Sequence, residues 1–175
     1  MMYNKPMRCF IIAALSADGY IAKNDTHAAL WTSKEDKKRF VDLTKHAGVV
    51  VMGSKTWKTL GRPLKERVNI VYSSHKVEEE GVETTSLSPV ELLKELEDRK
   101  FQEVAVCGGS HIYTLFMKAR VVDTLYLTVE PLIFGEGIRM FREEMHYTLT
   151  LKGVEKTENG ALLLEYKVNY GGPAN

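Results

Sequence analysis

The stretch Glu103-Val-Ala-Val-Cys107-Gly108-Gly109-Ser110-His111-Ile-Tyr113-Thr-Leu-Phe-Met-Lys-Ala119 decides the architecture. It opens with a short, unbroken apolar run, the pattern of a strand covered on both faces. Two glycines interrupt it, and an apolar-rich segment of helical length follows at once. Strand, glycine, helix is the junction expected of a parallel sheet, because parallel strands are joined by helical crossovers. The same grammar recurs outward from it. Residues 8–15 (Arg-Cys-Phe-Ile-Ile-Ala-Ala-Leu), 48–53 (Gly-Val-Val-Val-Met-Gly) and 67–72 (Arg-Val-Asn-Ile-Val-Tyr) read as further buried strands. Ser54-Lys-Thr-Trp-Lys-Thr-Leu60 is a short helical segment closed by Gly61. Ser88-Pro89-Val-Glu-Leu-Leu-Lys-Glu-Leu96 carries a cap residue, proline at the first helical position and leucines at helical spacing. The acidic run Glu78-Glu-Glu-Gly-Val-Glu83 reads as a solvated loop with a short strand at most.

Towards the C-terminus, Thr124-Leu-Tyr-Leu-Thr128-Val-Glu-Pro131 alternates and stops at proline. Residues 147–151 and 161–168 form two more strand patterns joined through Glu158-Asn-Gly160, an antiparallel hairpin. The expected fold is α/β and three-layered, a mostly parallel central sheet of about eight strands with an antiparallel C-terminal hairpin and helices on both faces. The length predicts one domain over residues 1–175, with residues 171–175 as a frayed tail.

Composition narrows the function classes. Hydrophobic residues make up 44% and charged residues 27%, and Lys+Arg 24 against Asp+Glu 23 leaves a formal charge of +1. That balance gives no reason to expect nucleic acid or a membrane surface as partner, so any anion site must be local. Cys9 and Cys107 both fall in apolar runs and read as buried thiols rather than a disulfide, and no metal-ligand spacing occurs. Neither a signal peptide's apolar core nor a stretch of membrane length is found, and a reducing cytoplasm is the expected compartment.

Trp31-Thr-Ser-Lys-Glu35-Asp36-Lys-Lys-Arg-Phe40-Val-Asp-Leu43 reads as the opening of an amphipathic helix. Thr32 or Ser33 can cap it, and Thr32 through Glu35 fits a capping box. Phe40, Leu43 and Ala47 share one side, and Gly48 stops the run. Asp36 lies one turn before Phe40 and so shares that apolar face. An unpaired buried charge is expensive, which points to a partner or a task. The plainer reading is a first-turn aspartate favoured by the helix dipole. On spacing alone the two stand side by side.

Twice the chain passes from buried strand through glycine to a helix start, at Met52-Gly53-Ser54-Lys55-Thr56 and at Cys107-Gly108-Gly109-Ser110-His111. Helix N-termini present free amides to an anion, and glycine lets the backbone approach it. Two such junctions, with Ser73-Ser74 ending a third strand, point to a dinucleotide cradle at the carboxyl ends of the strands, although Gly-Gly alone also serves a tight turn. Neither junction matches Gly-x-Gly-x-x-Gly or the P-loop.

The order of these pieces resembles the dihydrofolate reductase superfamily from residue 8 to about 168. The likeness is carried by Ile12-Ala-Ala14, Trp31-x4-Asp36-x3-Phe40, Val51-Met-Gly53-Ser-Lys-Thr56-Trp57, Gly61-Arg-Pro-Leu64-x2-Arg67-x-Asn69, Ser73-Ser74, Val106-Cys-Gly108-Gly109-x3-Tyr113 and Tyr126-Leu-Thr128. Lys34-Glu-Asp36 and Val122-Asp-x-Leu-Tyr-Leu-Thr-Val-Glu-Pro131-x3-Gly135-x-Gly137 are most similar to the dimeric, thermophile-type members, and the latter also to the reductase domain of riboflavin biosynthesis. The resemblance implies hydride transfer from NADPH to a pterin-like ring, a small-molecule partner and a possible homodimer. By position, Asp36 matches the carboxylate that binds the pterin's aminopyrimidine edge and helps deliver the proton, and Thr128 the hydroxyl of that network. Ile12, Ala14, Trp31 and Phe40 would contact the substrate. Arg67 matches the arginine that pairs with the glutamate-tail carboxylate; the alternative is a surface arginine at a strand start. Gly53, Lys55, Thr56, Ser73, Ser74, Gly108, Gly109 and Tyr113 would hold the cofactor, with Ala13, Ser54, Ser110 and His111 beside them.

Three departures stand out. The 22–31 loop is longer than in common bacterial members and lacks their Met-Pro before the tryptophan. Ser54 and His111 stand where many members carry arginines for the NADPH 2′-phosphate, leaving Lys55, Ser73, Ser74, His75 or Lys76 as substitutes. Ser110 replaces a third glycine. His27, His46 and His146 have no partners at useful spacing and read as surface residues. Dihydrofolate reduction is the leading expectation. The alternatives are a riboflavin-pathway reductase of a ribosylaminopyrimidine phosphate and a non-catalytic nucleotide- or pterin-binding member.

Overall fold

The structure is a computed structural model that describes residues 7–171; the tail expected to fray lies outside them from residue 172 on. The apolar runs become strands β1 (Arg8–Ser16), β3 (Val49–Gly53), β4 (Val68–Tyr72) and β6 (Glu103–Val106), joined by β7 (Thr124–Glu130) and by the short β5 (Val82–Thr85) within the acidic region. The hairpin is β9 (Thr148–Lys156) and β10 (Leu162–Asn169). One sheet of eight strands runs in the order β5-β4-β3-β6-β1-β7-β10-β9. All contacts from β5 to β7 are parallel, and β10 runs antiparallel to both β7 and β9. This is the expected fold class.

Each central strand is apolar throughout because its alternate side chains enter two different cores. Cys9, Ile11, Val49, Val51, Val104 and Val106 meet Leu92 and Leu96 of helix α3 (Pro89–Asp98) and Ile112, Phe116 and Met117 of α4 (Ser110–Lys118). Phe10, Ile12, Val50, Met52 and Ala105 meet Phe40, Leu43 and Ala47 of α1 (Lys34–Ala47) and Trp57 and Leu60 of α2 (Ser54–Leu60). The sheet is thereby covered on both faces, and the strand ends that lead into the helices are left to form a site.

One element has no counterpart in the sequence patterns: β2 (Tyr20–Ala22) pairs antiparallel with β8 (Ile138–Arg139), just after Gly137, in a second, two-stranded sheet. A Cβ at Gly137 would stand 2.4 Å from the Ala22 carbonyl oxygen, so only glycine permits this pairing. The cap of α1 also departs from the expected Thr32–Glu35 box. Ser33 is the N-cap, and its Oγ accepts from the Asp36 backbone N–H at 3.2 Å. The reciprocal carboxylate comes from another strand: Glu130 Oε1 accepts from the Ser33 N–H at 2.8 Å and its hydroxyl at 2.7 Å. The glycine stop is as expected, with Gly48 in the left-handed region at φ 74°.

Candidate active site

A cleft of about 810 Å³ opens where β1, β3, β4, β5 and β6 end, the usual ligand position in an open α/β sheet. Ile12, Ala13 and Ala14 of β1 form its floor, and Asp36 and Phe40 of α1 stand on one side. The two strand–glycine–helix junctions supply the other side through residues 53–56 and 107–113, and Ser73 and Ser74 extend it beyond β4. All the expected cofactor positions, together with Ile12, Ala14, Trp31, Asp36 and Phe40, therefore line one cavity.

Asp36 is 9% exposed. Its carboxylate makes no hydrogen bond or ion pair to another protein group among the described residues, although buried charges ordinarily find partners. Trp31 packs edge-on to Phe134 at 5.0 Å between ring centres and lies near-parallel to His27 at 6.3 Å. Its indole N–H is buried without a partner among the described residues. The part of the cleft around Asp36 and Trp31 thus holds an acceptor and a donor without partners among the described residues, on apolar walls, which suits a flat, polar-edged heterocycle.

The part of the cleft formed by the two glycine junctions is built from close backbone contacts. The Gly53 N–H donates to Gly108 O at 2.8 Å and ties the two junctions together. The Tyr113 hydroxyl donates to Ile12 O at 2.8 Å and pins α4 to the floor. Gly108 has φ +123°, and a Cβ there would crowd the Tyr113 hydroxyl at 3.3 Å; a Cβ at Gly109 would stand 3.2 Å from Thr56 Oγ1. The Gly108–Gly109 peptide bond is cis. Ser110 Oγ at the start of α4 and the Tyr72 hydroxyl are buried without partners among the described residues. Burial pushes the Tyr72 phenol above its ordinary range, so it stays a donor. Backbone amides at a helix start, space that glycine keeps open and orphaned hydroxyls together fit a bound pyrophosphate. Lys55 is held by an ion pair with Asp25 from the loop across the cleft mouth.

Two expected residues stand elsewhere. Arg67 is absent from the cleft lining; its Nη1 donates to Thr44 Oγ1 at 2.8 Å and its Nε to Lys65 O at 2.8 Å. Thr128 is 1% exposed beside Ala14 in the β1–β7 register, and no hydrogen bond joins it to Asp36 among the described residues. His27 is not the bare surface residue expected, since it lines the cleft, stacks near Trp31 and accepts from the Lys23 N–H at 3.1 Å. Cys107 is only half-buried and lines the cleft as a free thiol, whereas Cys9 is fully buried. Sequence reasoning also missed Asp25, Tyr72 and residues 85–89 in the lining, and Glu130 behind it. Glu130 carried one signal, its place on the same strand face as Tyr126 and Thr128; the others lie in loops whose spatial neighbours no local pattern reveals.

The sequence profile described as dihydrofolate reductase matches residues 8–143. Dihydrofolate reductase type 3 of Salmonella typhimurium is 34% identical over 121 residues, covering 67% of this chain and 68% of that protein. Among solved structures, a pyrimidine reductase-like protein of Corynebacterium diphtheriae is similar with TM-score 0.77 at 18% identity, covering 96% of this chain and 94% of that one. A diaminohydroxyphosphoribosylaminopyrimidine deaminase/5-amino-6-(5-phosphoribosylamino)uracil reductase of Thermotoga maritima gives 0.75 at 16% identity, covering 93% of this chain and 56% of that one. At those identities the two structures speak for the fold alone. The profile spans the strands and junctions that build the cleft, and on that ground the chain belongs to the dihydrofolate reductase family.

Proposed function

We propose that the protein reduces 7,8-dihydrofolate to 5,6,7,8-tetrahydrofolate with NADPH. The observation that carries this reading is the unpaired, buried Asp36 carboxylate on an apolar cleft wall, on the same cavity as the glycine cradle. A pterin offers an amino group and a ring N–H on one edge, and a carboxylate accepts both as a charge-assisted pair. Phe40, Ile12 and Ala14 supply flat apolar contact for the ring, and Asp36 holds its edge and assists protonation of the ring nitrogen. Bound NADPH would supply the hydride; Gly53, Gly108, Gly109 and Ser110 would hold its phosphates, and the chain's main contribution is orientation.

A second reading has an observation in its favour. Arg67 is engaged by Thr44 rather than lining the cleft. A ribosylaminopyrimidine phosphate carries no glutamate tail and needs no such arginine. The deciding experiment follows NADPH oxidation by the purified chain with dihydrofolate and, in parallel, with the ribosylaminopyrimidine phosphate. Turnover on dihydrofolate is the expected outcome. Turnover on the pyrimidine alone would replace this reading with the second, and turnover on neither would leave a binding role.

A further inference from the structure

The carboxylate of Asp36 has no protein partner among the described residues, so its place in the cleft is inherited from its backbone. That backbone is held from β7. Glu130 is 2% exposed at the end of this strand, and a buried carboxylate persists where hydrogen bonds satisfy it. Its Oε1 accepts both the N–H and the hydroxyl of Ser33, at 2.8 and 2.7 Å. The Ser33 oxygen in turn accepts the Asp36 N–H at 3.2 Å. A hydroxyl has one proton, and this one is committed to Glu130. A carboxylate has no proton to return, so the lone pairs of Ser33 are left facing the helix and the direction of the chain of bonds is set. Three residues beyond Asp36, Arg39 makes a second tie: Nη1 donates to Leu127 O at 3.0 Å, Nη2 to Leu164 O at 2.7 Å, and the guanidinium lies 5.1 Å from the centre of the Tyr126 ring. Asp36 is thus bracketed by two polar ties to β7, one through Ser33 before it and one through Arg39 after it.

We propose that Glu130 is a positioning residue for Asp36, acting through the Ser33 hydroxyl to set where the Asp36 carboxylate meets the substrate ring. The proposal rests on the reading of Asp36 given above. Glu130 touches neither substrate nor cofactor in this scheme, and the cofactor cradle, built on β3, β6 and α4, is independent of it. Loss of Glu130 therefore acts on ring binding and on the chemical step and leaves nucleotide affinity in place. Glu130→Leu removes the acceptor; Glu130→Gln keeps an acceptor oxygen at the same reach.

The test measures three quantities: NADPH affinity, kcat and KM on dihydrofolate, and affinity for a 2,4-diaminopteridine, read from quenching of tryptophan fluorescence. For Glu130→Leu the expected result is unchanged NADPH affinity, diaminopteridine binding weakened about tenfold or more, and kcat lowered about tenfold to a hundredfold with a smaller change in KM. Glu130→Gln should restore most of both. Ser33→Ala should repeat the Leu phenotype, and the double variant should be no worse than Glu130→Leu alone, because both act along one path. A folded Glu130→Leu with wild-type diaminopteridine binding and kcat overturns the proposal. Should that variant fail to fold, Ser33→Ala with wild-type binding and kcat overturns it equally. Failure of the underlying reading looks different: wild-type protein would not bind the diaminopteridine, or Asp36→Asn would bind it normally, and the positioning proposal would fall with it.

Discussion

At the scale of single residues, Gly108 shows how closely backbone conformation and ligand space are linked. Its φ of +123° excludes side chains, and an added Cβ would also press on the Tyr113 hydroxyl that pins α4. Gly108→Ala is expected to cost about 1–3 kcal/mol through backbone strain and to weaken NADPH binding, checked by thermal melts and nucleotide titration. Wild-type affinity would remove the junction from the cofactor site. The thiols make a second case. Desolvation pushes Cys107 up to about 12, against the opposing influence of the Arg67 guanidinium. At neutral pH almost no thiolate exists, so Cys107 should alkylate slowly although it lines the cleft, and both thiols should react once the chain is unfolded. Mass spectrometry after iodoacetamide treatment checks this. Asp36 and the two glycine junctions were legible because a carboxylate on an apolar stripe, and glycine between strand and helix, are local anomalies. The Glu130–Ser33 bond was not, since its partners are 97 positions apart and each looks ordinary in its own neighbourhood.

At the scale of elements, the two capped helices make a contrast. Helix α3 carries its whole capping box in sequence, Ser88 and Glu91 each bonding the other's backbone N–H. Its start could be read from the residues alone. Helix α1 shares its cap with β7, and the local Thr32–Glu35 match was therefore misleading. The two caps should also respond differently to change. Ser33→Ala removes an N-cap worth about 1 kcal/mol and strips Glu130 of a buried hydrogen-bond donor at a further cost of about 1–3 kcal/mol, to be read from denaturant melts. Glu91 is held below its ordinary 4.5 by the Ser88 hydroxyl first and the Ser88 backbone N–H second. A depressed carboxylate stabilises the fold above its unfolded pKa, and the contribution is lost as the pH falls through the folded value. Amide protection at the start of α3 should therefore fall on acidification below 4.5. In Glu91→Gln that pH dependence should be absent.

At the scale of the molecule, the fold class was legible because strands buried on both faces must be apolar throughout, while the helices between them keep a 3.6-residue period. The strand order was not, because nothing local states that β6 sits between β3 and β1. The β2–β8 pair escaped notice for a simpler reason: two strands of three and two residues carry no period. The resulting cleft joins α1, the sheet floor and both glycine junctions, so ligand binding should stabilise the whole chain. Saturating NADPH at a hundred times its Kd is expected to add about 2.7 kcal/mol, a rise in Tm of roughly 5–11 °C for a chain of this size. The proposed reaction requires one thing more, that the carboxylate on α1 meet a ring held against the nicotinamide. The most direct test is a single-turnover measurement of hydride transfer from NADPH to dihydrofolate in wild type and Asp36→Asn, with NADPH affinity measured on both. The account predicts NADPH affinity unchanged and hydride transfer slowed about a hundredfold or more. Hydride transfer at the wild-type rate in Asp36→Asn would contradict it.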